Sequence, residues 1–183
     1  MGRVKYSPPQ RINSEHILED FDCPKGYRFA YGAASLNDWL CKRALKNDLT
    51  DASRTYVVCC DKIVVAYYSL HLGSIWHSEA VRKLKRNMPD PIPAIVLGRL
   101  AVDVHHQGKG LARALIKDMF LRAMQVSDLA GTKAVLVKAL NDEVTAFYQS
   151  FGFVPSKTDP LLLMKAISEI RASYKEAEND EQS

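Results

Sequence analysis

Between Ile95 and Ala112 the chain reads IVLGRLAVDVHHQGKGLA: a short apolar run, a polar turn, then two glycines that open onto a helical pattern. A strand that delivers a glycine-bearing turn to a helix start suits a phosphorylated ligand. The first N–H groups of a helix have no intrahelical acceptor, and the macrodipole favours an anion beside them. The turn is not a P-loop, because no Ser or Thr follows Lys109. A nicotinamide-binding fingerprint fits poorly as well, since Arg113 stands where the third glycine of GxGxxG belongs. His105 and His106 have the residue type of a general base, yet their place is the loop that enters the turn. Arg82, Lys83, Lys85 and Arg86 cluster before a connection carrying Pro89, Pro91 and Pro93. That cluster reads equally as the basic end of an exposed helix or as a patch that contacts phosphates.

These residues need elements to hold them. Residues 1–26 carry the turn formers Pro8, Pro9, Pro24 and Gly26 and are expected to be irregular, around a short helix starting at Ser14. From Ser35 the pattern turns helical, with Leu36, Leu40, Ala44 and Leu45 on one stripe and Trp39 beside it; Lys42, Arg43 and Lys46 lie off it. Residues 54–69 read as two strands around the turn Asp61-Lys62, an antiparallel hairpin. Ile95 to Val102 makes a strand and residues 110–129 a long helix, with an Asp118/Arg122 pair on its outer side and a stop at Gly131. A buried strand over 134–140 follows, then a helix capped by Asn141 that turns Val144, Phe147 and Phe151 inward and stops at Gly152; a last strand falls at 161–165. The order of elements predicts an α/β or α+β single domain over residues 1–168.

Bulk composition narrows the class. The chain has 183 residues, 47% of them apolar and 25% charged, which is ordinary for a globular protein. No apolar run approaches the roughly 18 residues of a membrane span, and the first residues lack the apolar core of a secretory signal, so a cytoplasmic protein is expected. Cys23, Cys41, Cys59 and Cys60 show no metal-ligand spacing and read as reduced structural thiols; no metal is expected. From Glu169 onward five acidic residues face two basic ones, a local balance of −3, so the preceding 168 residues carry +7 of the total +4. A basic body attracts polyanions, and the acidic, polar tail over 169–183 is expected to be partly disordered.

Gln107-x-x-Gly110-x-Ala112 resembles the Q/R-x-x-G-x-G/A turn of the GNAT acetyltransferase superfamily. Downstream, NDEVTAFYQSFGF resembles the segment of that family in which an Asn precedes a Tyr by seven positions and Gly-Phe follows, here Asn141, Tyr148, Gly152 and Phe153. The resemblance implies a GNAT acyltransferase fold, with a mixed, mostly antiparallel sheet flanked by helices, and acetyl-CoA as cosubstrate. It implies that Leu100, Ala101 and Val102 pair their backbone with the pantetheine arm. Amides of Gln107, Gly108, Lys109, Gly110, Leu111 and Ala112 would take the pyrophosphate, and Asn141 would contact the same molecule.

DWLCKRALKND, ASRTYVV, RKLKRNMPDPIP, VLGRLAVD, FYQSFGFVPS and DPLLLM are similar to the GNAT toxins of bacterial type II toxin–antitoxin modules, over most of residues 35–165. Those toxins acetylate the α-amine of an amino acid charged onto tRNA and so block translation. The similarity implies aminoacyl-tRNA as acceptor and a ribbon-helix-helix antitoxin as partner, with DNA met only through the antitoxin complex. Toxins of this kind often dimerise. The segment CPKGYRFAYGAASL departs from the usual family spacing before the first helix.

The chemistry agrees with an α-amine. Tyr148, with an ordinary phenol pKa of about 10, suits protonation of a departing thiolate. Lysine, of pKa about 10.4, needs a positioned base; an α-amine of about 7.7–8.0 needs far less help. The strand supplies Arg99 rather than a carboxylate, and Asp103 comes only at its far end. Arg99 is therefore expected to face the acceptor, with Arg82, Lys83, Lys85 and Arg86 leading tRNA phosphates toward it. Acetylation of a small-molecule amine or a protein N-terminus is the alternative, and an acetyl-CoA-binding module assembling with a DNA-binding partner a third reading.

Overall fold

The computed structural model describes residues 5–18, 21 and 36–181. Ser35 and residues 23–34, where a helix cap and an unusual connection were expected, lie outside them. The chain divides into two compact units, the described parts of Met1–His71 with Leu97–Asp118, and of Leu72–Val96 with Met119–Ser183. Among the described residues the class is α/β, with seven strands, mostly antiparallel, and flanking helices.

In the first unit, β2 (Arg54–Cys60) and the first part of β3 (Ile63–Ile75) form the expected hairpin. Asp61 takes the left-handed conformation that its tight turn requires (φ 56°). A bulge falls between Val58 and Cys59, and Cys59 is buried. The N-terminal stretch is more ordered than its composition suggests. Gln10 and Arg11 form β1, antiparallel to β2 with Gln10 opposite Val57. Ser14 starts no helix: residues 14–16 turn, and Ile17 bridges to Ile63 in parallel. What secures β1 is distant in sequence. Arg11 donates to the buried carboxylate of Asp48, whose other oxygen accepts from Thr55 N–H at 3.0 Å.

The first helical run comprises α1 (Leu36–Trp39), a π-helical turn (Leu40–Ala44) and α2 (Leu45–Leu49). It buries Trp39, Leu40 and Ala44 against Val57, Tyr67 and Ala101, and leaves Lys42, Arg43 and Lys46 in solvent as expected. After α3 (Arg82–Lys85), strand β4 (Ile92–Val102) begins three residues earlier than the apolar run suggests. Within the first unit the strand order is β1-β2-β3-β4.

The second unit contains most of α4 (Leu111–Ala130), which stops at Gly131 with φ 65°. Its strands β5 (Ala134–Lys138), β6 (Val154–Pro155) and β7 (Leu162–Ala166) run in the order β5-β7-β6, with Leu136 opposite Met164. Between β5 and β6 lies α5 (Asp142–Gln149), capped as expected by Asn141, whose side-chain oxygen accepts from Val144 N–H at 3.0 Å. The phase of α5 differs from the expectation. Val144 and Tyr148 are its buried pair, four residues apart, while Phe147 and Phe151 are only half-buried. Within the stretch read as an acidic, polar tail, the described residues form α6 (Ile167–Glu181), anchored by buried Ile167 and Ile170.

Gly152 joins α5 to β6 with φ 81°, and a Cβ there would lie 2.5 Å from Lys165 Nζ. That ammonium donates to Phe151 O at 2.8 Å and lies 5.7 Å from the Phe120 ring centre; burial lowers its pKa. Gly152→Ala therefore meets a left-handed backbone and displaces a buried charge from its acceptor. We expect a loss of about 2–4 kcal/mol in denaturant unfolding, with Gly108→Ala, where the space is open, costing less.

Candidate acetyl-transfer site

The glycine turn is built as the sequence predicts. Gly108 and Gly110 have φ of 70° and 80°, with nothing within 4 Å of where a Cβ would stand, and residues 108–110 are exposed. The first α-helical bond of α4 runs from Ala114 N–H to Gly110 O, so the amides of Leu111 and Ala112 precede the helical ladder. No acidic residue occupies the first turn of α4, which leaves its positive end available to an anion.

Neighbouring groups stiffen the approach to this turn. Gln107 folds its side-chain amide back to donate to Val102 O at 3.1 Å, and Lys109 Nζ donates to His105 O. Asp103, buried, accepts from His105 N–H and caps the short 3-10 turn Val104–His106. His106 Nδ1 lies 3.0 Å from the Tyr6 hydroxyl; burial and then Lys109 hold its pKa below the ordinary value. His105 is exposed. Both histidines thus occupy the loop position that was expected. Leu100, Ala101 and Val102 bury their side chains, so only their backbone can meet a ligand. An exposed, acid-free turn beside such a strand fits a diphosphate with an extended arm, as acetyl-CoA has. Gly110→Val is expected to weaken acetyl-CoA binding at least tenfold by isothermal titration, because a β-branched residue resists positive φ.

Arg99 is half-buried, its guanidinium carbon 4.3 Å from the centre of the Trp39 ring. Trp39 stacks on Tyr67 at 5.8 Å and 12°, and the Tyr67 hydroxyl donates to Leu36 O. Sequence reasoning singled out Arg99 but missed Trp39 and Tyr67 as its supports; Trp39 beside its helix's apolar stripe was the available signal.

In the second unit, Tyr148 is fully buried, edge-on to Phe147 at 5.3 Å and to Phe153 at 5.6 Å. Burial pushes its phenol well above the ordinary value, so the hydroxyl stays protonated throughout the neutral range. Asn141, read as a cofactor contact, spends its side-chain oxygen on the α5 cap. Of the basic cluster, Arg82, Lys83 and Arg86 are exposed and Lys85 half-buried, around buried Leu84. Lys83 pairs with Glu169 of α6 at 2.5 Å. Among the described residues no group of His, Cys, Asp and Glu could hold a metal ion.

The family model described as an acetyltransferase (GNAT) domain matches residues 51–155, from β2 through the glycine turn to β6. The chain belongs to the GNAT acetyltransferase family. A tRNA-acetylating toxin of Mycobacterium tuberculosis is 45% identical over 167 residues, covering 91% of this chain and 96% of the relative. The solved structure of AtaT complexed with acetyl-methionyl-tRNAfMet matches with a TM-score of 0.80 at 24% identity, over 93% of this chain and 99% of that one. A mutant AtaT bound to the C-terminus of the antitoxin AtaR and acetyl-CoA matches with a TM-score of 0.74 at 24% identity, again over 93% and 99%.

Proposed function

We propose that this GNAT protein is a toxin that moves the acetyl group of acetyl-CoA to the α-amine of the amino acid on charged tRNA, blocking translation, and that a cognate antitoxin neutralises it. The observation that carries the reading is the 45% identity to a tRNA-acetylating toxin across 91% of the chain. The catalytic domain spans residues 1–168, and a ribbon-helix-helix antitoxin is the partner through which the complex meets DNA; a homodimer fits the same reading.

Acetyl-CoA supplies the activated acyl group as a thioester. The amides of Gln107, Gly108, Lys109, Gly110, Leu111 and Ala112 would hold its pyrophosphate, and the backbone of Leu100, Ala101 and Val102 its arm, with Asn141 as a further contact. Tyr148 holds a proton on its hydroxyl for the departing sulfur. Arg82, Lys85, Arg86 and Arg99 are the tRNA contacts, and Lys83 joins them where it is released from Glu169. No base is assigned, since an α-amine of pKa about 7.7–8.0 is already partly neutral at pH 7. No helix among the described residues is long and apolar enough to cross a membrane. Cell-free translation tests the reading: the protein should arrest synthesis only when acetyl-CoA is present, and charged tRNA added after acetyl-CoA is removed should restore it. Arrest without acetyl-CoA would contradict it.

A further inference from the structure

A desolvated cation usually has an anion beside it, because removing it from water uncompensated is costly. Arg99 departs from that rule. Burial lowers its pKa and only Tyr67 opposes the shift; no carboxylate among the described residues pairs with it. What it has instead is an aromatic seat. Trp39 lies beneath the guanidinium, Tyr67 lies beneath Trp39, and the Tyr67 hydroxyl is tied to the first residue of α1. Immediately after Trp39 the helix adopts its π-helical turn, a feature that concentrates at functional positions.

The surroundings of Arg99 are also rich in donors. A Cβ on Gly98 would lie 3.2 Å from His71 Nδ1 and Cε1 and 3.3 Å from Ser69 Oγ, so the imidazole and the hydroxyl lie across the backbone next to Arg99. Desolvation, and then the Arg99 charge, hold His71 below its ordinary pKa. His71 and Ser69 thus stand beside Gly98, the residue before Arg99, the His71 ring feels the Arg99 charge, and none of the three groups is acidic. A guanidinium braced on one side by an indole keeps its N–H edges for a planar or tetrahedral oxyanion.

We propose that Arg99, seated on Trp39 and flanked by His71, grips a phosphodiester at the 3′ end of the charged tRNA and thereby sets acceptor specificity against small cationic amines. The inference rests on the reading of charged tRNA as the acceptor. Trp39 is a positioning residue, acting through Arg99. A polyamine or lysine side chain brings a positive charge to this seat and is repelled. A nucleotide terminus brings the negative charge that the seat lacks.

The test uses the full chain with acetyl-CoA and charged tRNA. Arg99→Gln should raise KM for charged tRNA about ten- to a hundredfold, while the Kd for acetyl-CoA stays within about twofold. Arg99→Lys should recover only part of the loss, because a point charge does not reproduce the fork. Trp39→Leu should raise the same KM, with Trp39→Phe rescuing it in part. On the unmodified protein, the dinucleotide cytidylyl-adenosine should compete with charged tRNA at least tenfold better than its uncharged methylphosphonate analogue, and Arg99→Gln should erase that difference. Equal competition by the two dinucleotides, or an Arg99→Gln effect confined to acetyl-CoA, would overturn the proposal. Failure of the unmodified protein to acetylate any charged tRNA would instead overturn the acceptor assignment, and this inference with it.

Discussion

Tyr148→Phe is expected to lower the turnover of acetyl transfer by about 10²–10⁴-fold, the usual worth of a positioned general acid, while leaving acetyl-CoA binding intact. The substitution removes one hydroxyl and keeps the ring, so the edge contacts with Phe147 and Phe153 survive. Burial raises the phenol pKa, which has two consequences. The first concerns rate: the proton is in place through neutral and mildly alkaline pH, so activity should rise with pH as the acceptor amine deprotonates and should not fall near the ordinary phenol value of about 10. The second concerns stability. A group whose folded pKa lies above its unfolded value adds stability that is complete below the unfolded value and is lost as pH climbs past it. Stability from Tyr148 should therefore be full below about pH 10 and erode above it, and Tyr148→Phe should lose that alkaline slope. Single-turnover rates with equilibrium unfolding at pH 8–11 check both. An alkaline rate decline centred near pH 10 in the unmodified protein, absent from the variant, would contradict the assigned environment.

Reversing the charge of Arg82, Lys85 and Arg86 together is expected to weaken charged-tRNA binding by roughly a hundredfold near 0.15 M salt and to flatten the salt dependence by about 2–3 units of log K per log salt. Kd for acetyl-CoA should not change. The structure sharpens the expectation through Lys83. It already faces Glu169 at 2.5 Å, with both side chains partly in solvent, so its charge is spoken for locally. Lys83→Glu alone should have a small effect on tRNA binding, and Glu169→Gln, which frees Lys83, should strengthen it slightly. Filter binding over 0.05–0.3 M salt, a range spanning the screening regime, separates these variants. An unchanged slope in the triple variant would remove the cluster from the tRNA-binding surface.

The parts of this protein that were legible in sequence are those specified locally. The hairpin around Asp61-Lys62, the glycine turn at 108–110, the Asn141 cap and the stop at Gly131 each depend on a few adjacent residues, and each stands where the sequence puts it. What the sequence hid is specified at a distance. β1 has no alternating apolar pattern; it forms because β2 offers a backbone edge and Asp48, 37 residues later, accepts from Arg11. The phase of α5 is hidden in the sequence because Phe147 and Phe151 are more apolar than Tyr148, whereas the structure buries Val144 and Tyr148, the latter edge-on to Phe153. α6 carries only two buried isoleucines at its start, followed by polar helix formers, and so shows no stripe to read. The seat of Arg99 likewise joins residues sixty positions apart, Trp39 and Arg99.

The central claim is that the acceptor amine sits on tRNA. Labelled acetyl-CoA, the purified protein and a mixture of charged tRNA, free amino acids and spermidine, resolved by acid precipitation and chromatography, test it in one reaction. Label that enters the tRNA fraction, and is released as N-acetyl amino acid when the ester is hydrolysed, is the predicted result. Label that accumulates on spermidine or free amino acids while the tRNA fraction stays unlabelled would contradict it.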